Sequence, residues 1–116
     1  MKYLYRFGYC TPSQWTLNES HGWDDEDSNA FFVIARSPED ALRWGREISE
    51  ALCSHLFLSW GWEGPIPSWK DSSFAHWIEE DPEAEFSPQQ LSNLAVVKDG
   101  EMPDVSDWAA AMMEAH

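Results

Sequence analysis

Ser37-Pro38-Glu39-Asp40-Ala41-Leu42-Arg43-Trp44-Gly45-Arg46-Glu47-Ile48-Ser49-Glu50-Ala51-Leu52-Cys53-Ser54-His55-Leu56 is the stretch on which the fold turns. Its serine hydroxyl can accept from the free N–H groups that open a helix. The proline is pre-set for the first helical position, and the acidic pair suits the positive end of the helix dipole. Ala41, Leu42, Gly45, Ile48, Leu52, Cys53 and Leu56 then recur at helical spacing. The opposite face carries Glu39, Arg43, Glu47 and the pair Arg46, Glu50, whose four-residue spacing supports ion pairs of about 0.2–0.5 kcal/mol each. One main helix over about 38–56 follows, buried on one side and solvated on the other.

Upstream, Ala30-Phe31-Phe32-Val33-Ile34-Ala35 is apolar on both alternations, the pattern of a strand covered on both faces and central in its sheet. Further back, Tyr3, Tyr5, Phe7 and Tyr9 alternate with Leu4, Arg6 and Gly8, a strand with one aromatic face. Between these strands Thr11 to Ser28 is polar and acidic and reads as a long loop, with Thr11-Pro12-Ser13-Gln14 starting a short turn of helix.

Downstream, Leu56, Leu58, Trp60 and Trp62 alternate, so His55 to Trp62 reads as a third strand, ended by Gly64-Pro65-Ile66-Pro67. Phe74 to Glu79 reads as a fourth, with Phe74, His76 and Ile78 on one side and Ala75 and Trp77 on the other. Ser87-Pro88-Gln89-Gln90 opens a modest helix reaching about Leu94. Ala95-Val96-Val97 is a short last strand closed by Asp99-Gly100. Asp104 or Ser106 caps a final helix in which Trp108, Ala111, Met112 and Ala115 share a face. The expected fold is α+β: a mainly antiparallel sheet of about four strands, with the main helix and one or two shorter helices packed on it. All 116 residues are expected in one domain.

Composition narrows the function. Hydrophobic residues make up 43% of the chain and aromatics 15%, enough for one core despite the high charge. Twenty-one acidic residues against seven basic ones give a net charge of −14. Each phosphate contact needs a Lys or Arg, so nucleic acid and anionic membrane are not expected partners, whereas a basic protein would be drawn in by the field. Met1 to Cys10 lacks the apolar run of a signal peptide, and no stretch approaches the roughly 20 apolar residues of a membrane span. A cytoplasmic protein is expected, with Cys10 and Cys53 reduced and Cys53 buried.

No motif carries catalysis. Asp25-Glu26-Asp27-Ser28-Asn29 starts like a calcium loop, but Ala30 stands where glycine is needed and Arg36 where a bidentate glutamate belongs. Cys10, His21, Cys53 and His55 are zinc-type residues without paired spacing beyond Cys53-Ser54-His55. Cys10, His76 and Asp71 form a nucleophilic set only on paper. No cofactor, metal or catalytic residue is expected.

The eight tryptophans are the unusual feature. Trp44, Trp77 and Trp108 sit at core spacing, while Trp23, Trp62 and Trp69 lie beside glycines, prolines and acids and are expected at the surface. The expected function is a non-enzymatic binding module, an inhibitor or immunity-type protein that meets a basic partner. Its contact residues would be Trp23, Asp24, Asp25, Glu26, Asp27, Trp62, Trp69, Glu79, Glu80, Asp81, Glu83 and Glu85. The alternative is a small-molecule or carbohydrate binder using Trp60 to Trp69, and a small hydrolase-type enzyme ranks third.

Overall fold

The computed structural model describes residues 1–23, 27–66 and 75–114, with side chains to residue 111. In chain order the elements are β1 (Lys2–Tyr9), α1 (Pro12–His21), β2 (Asp27–Ile34), α2 (Pro38–Trp60), β3 (His76–Glu79), α3 (Pro82–Glu85), α4 (Pro88–Asn93), β4 (Val96–Lys98) and α5 (Val105–Glu114). Four strands form one sheet in the order β3-β1-β2-β4. β1 pairs antiparallel with β2 and β3, and β4 runs parallel to β2, so the α+β sheet is mixed.

The aromatic alternation of β1 produces the core. Tyr5, Phe7 and Tyr9 are buried with Phe31 and Val33 of β2 against Ala41, Ile48, Leu52, Cys53 and Leu56 of α2. Gly45 lets α2 lie directly on the Tyr5 ring; a Cβ there would fall within 2.6 Å of three ring carbons. α5 closes the same face, with Trp108 against Phe31 at 5.2 Å. The opposite face is also partly covered, since Leu4 and Phe32 are buried there. Phe86 lies over the Arg6 guanidinium at 5.1 Å, so the link from β3 to β4 crosses that second face.

β2, β3 and β4 therefore point the same way. α2 carries the chain from β2 to β3 over one face, and the link through Phe86 returns it to β4 under the other. Opposite steps on opposite faces have the same hand, as the strong preference for right-handed crossovers requires.

Three local expectations are corrected. His55 to Trp62 is not a strand, because α2 continues to Trp60. Cys53, Leu56, Phe57 and Trp60 hold helical spacing through the stretch that also alternates, and no breaker comes before Gly61. That glycine adopts φ 84°, donates to the Leu58 carbonyl, and lets the Trp62 N–H reach the Phe57 carbonyl at 3.1 Å. The Trp62 ring packs edge-on against Phe57 at 4.9 Å, the apolar contact that accompanies this type of helix stop.

The expected loop from Thr11 to Ser28 contains a ten-residue helix, α1, and the first residues of β2. The Thr11 hydroxyl accepts from the Gln14 N–H, as the sequence suggests, but the helix runs on because Gln14 and Asn18 bond side chain to side chain at 2.8 Å. Only Pro12 of it is buried, so it lacks the apolar stripe that marks a helix in sequence. In α5, capped by Asp104, Ala109 rather than Ala111 faces the core.

Other readings hold. α2 opens at Ser37, whose hydroxyl accepts from the Asp40 N–H at 3.1 Å, and Ser87 and Gln90 form a reciprocal capping box on α4. On the charged face of α2, Arg43 pairs with Asp40 at 2.8 Å, three residues back, instead of the expected four-residue partner.

Candidate binding face at the α1 end of the sheet

β1 ends and β2 begins at one end of the sheet, where Tyr9 pairs with Asp27, Phe7 with Asn29, and Tyr5 with Phe31. From Gly45 above Tyr5, α2 climbs fifteen residues to Trp60, about 22 Å at 1.5 Å per residue. Four further residues of β1 cover only about 13 Å. The last turns of α2 therefore project past the sheet, and α1 packs there, with Trp15 edge-on to Phe57 at 6.3 Å.

This end exposes apolar surface. Trp23 is 49% exposed, Leu58 61% and Trp60 55%. Trp23 is nonetheless held: its N–H donates to the Asn18 carbonyl at 3.0 Å, and its ring stacks on His21 at 4.3 Å. Asp27 is exposed at the start of β2.

Between the sheet and the two large helices lies a cleft of about 550 Å³. Phe7, Tyr9 and Phe31 form its floor, Leu52 one wall, and Trp108 with Asp107 the other. Asp27, Asn29 and Asn93 complete a polar rim, and none of the described lining residues is basic. It opens because the inner face of β2 changes from Phe31 to Asn29 and Asp27 where cover by α5 ends.

Burial, with the Asp27 carboxylate adding to it, pushes the Tyr9 hydroxyl from 10.0 up to about 12. Burial raises Tyr5 still more strongly. Raised phenols favour the neutral form in the fold. Their contribution to stability is complete below pH 10 and is lost as pH climbs through the folded values. Absorbance titration is therefore expected to show Tyr5 and Tyr9 ionising only above pH 11, together with loss of stability. Ionisation of Tyr5 and Tyr9 near pH 10 in the folded chain would contradict this.

The residues expected at the contact surface do not all gather here. Trp23 and Asp27 do. Asp24, Asp25, Glu26 and Trp69 lie outside the described residues. Trp62 is half-buried on Phe57, its indole N–H donating to the Pro65 carbonyl at 3.1 Å. Glu79 pairs across β1 with Leu4, five residues, or about 17 Å, from the Tyr9 register. It accepts from Arg6 at 3.0 Å and from the Trp77 indole, which together hold its carboxyl below the usual range. Glu85 approaches the same arginine at 3.8 Å, while Glu80, Asp81 and Glu83 are exposed beside it. Trp77, expected in the core, is 37% exposed with Arg6 stacked on it at 5.1 Å. Its alternation puts it on the sheet face away from α2.

The sequence reading missed Phe7, Tyr9, Asn29, Phe31, Leu52, Asn93, Asp107 and Trp108 as cleft residues. They come from five segments, so no spacing could reveal them.

A second polar group lies between α2 and β3. The buried Ser49 hydroxyl donates to the Tyr5 oxygen at 3.3 Å, and Tyr5 bonds His76 Nδ1 at 3.2 Å. Burial and the Arg46 charge lower the His76 pKa. The adjoining cleft mixes Arg43 and Arg46 with Glu39 and Glu47 and has no single charge preference. Cys10 and Cys53 are buried thiols not joined in a disulfide, and burial raises the Cys53 thiol far out of the nucleophilic range. Among the described residues no three His, Cys, Asp or Glu side chains gather as metal ligands, and no helix is long and apolar enough to cross a membrane.

No family model, no curated protein and no solved structure matches the chain.

Proposed function

We propose that this chain is a non-enzymatic acidic binding module that engages a basic protein through its α1 end, as an inhibitor or immunity-type protein does. One observation carries the reading: Trp23, Leu58 and Trp60 are exposed at the end where Asp27 opens β2. Exposed aromatics beside a carboxylate combine desolvation with long-range attraction, the two ingredients of a fast, tight protein contact. The opposite end is mixed in charge: Arg36, Arg43 and Lys98 stand there with Asp40 and Asp99, and β3 runs toward it from His76 to Glu79.

The test starts from a partner captured at low salt, then purified. Its association rate is expected to fall about tenfold between 50 and 200 mM salt, and Asp27→Lys to slow association several-fold. Trp23→Ala or Trp60→Ala should instead speed dissociation, by about tenfold or more for a central anchor. An affinity indifferent to salt would remove the electrostatic reading. Salt-independent quenching of Trp60 by a sugar or small ligand would favour a ligand-stacking role for the Trp60 to Trp69 segment.

A further inference from the structure

We draw no further inference here: the strongest candidate, the surface patch at the outer edge of β4 where Val96 is exposed beside Ile34 and Lys98, carries nothing, because nothing in the structure shows what covers it.

Discussion

Phe31→Ala is expected to destabilise the fold by about 3–5 kcal/mol, the cost of emptying a fully packed aromatic site. The ring is the hub of the core: its centroid lies 5.1 Å from Tyr5, 6.1 Å from Phe7 and 5.2 Å from Trp108. No neighbour can collapse easily into the gap, since Tyr5 is tied by its hydroxyl to Ser49 and His76 and Phe7 is held in the middle of the sheet. A domain of this size has about 5–15 kcal/mol in total, so the variant should be close to half-unfolded in mild urea. Phe32→Ala is the internal control. Its ring is on the thinly covered second face with the Lys2 ammonium 4.5 Å above it, and the loss should be smaller. Equal costs at the two positions would mean that the face under α2 and α5 is not the principal core.

The second large effect has the opposite sign from the one helix propensity gives. Gly45 lies within α2, where alanine would normally stabilise by about 1 kcal/mol. Here the added methyl would enter the Tyr5 ring, which is fully buried and cannot swing away without breaking its bonds to Ser49 and His76. The helix must lift from the sheet instead, and Gly45→Ala should lose about 2 kcal/mol net, or roughly 10 °C in Tm. The cause can be isolated with a double-mutant cycle. In a Tyr5→Leu background the same alanine has room, and most of its penalty should vanish. An unchanged penalty would locate the strain elsewhere.

How much of this was readable from sequence depended on how local the determining physics was. The opening of α2, the aromatic face of β1 and the capping box of α4 are set by residues within four positions of one another, and each was recoverable. Leu56 to Trp62 fits two periods at once. Only the placement of a helix-stopping glycine after Trp60, instead of a turn after Leu56, decides between them. α1 escaped because its polar residues satisfy one another and it buries only Pro12. Trp77 was assigned by alternation alone, which cannot say which face of a sheet α2 will cover. The cleft is the extreme case: Asp27 and Asp107 lie eighty positions apart and share a rim only because α5 returns to β2. Charge clustering singled out Asp27 and Glu79 alike, though the first pairs with Tyr9 and the second with Leu4 at the other end of β1.

The place of β1 in the sheet also sets a timetable. It sits between β2 and β3, yet its Arg6–Glu79 pair closes a loop of 73 residues, and β4 and α5 come later still. At about 5–20 residues per second of synthesis, β1 waits roughly 4–15 s for its second neighbour. Through that interval β1 and β2 have only each other to pair with, and α5, which covers their aromatic face in the finished fold, is not yet made. Loop closure over such distances belongs to the slower folding regime. Expression yield at high temperature should therefore respond to chaperone supply more than the stability of the finished fold would suggest.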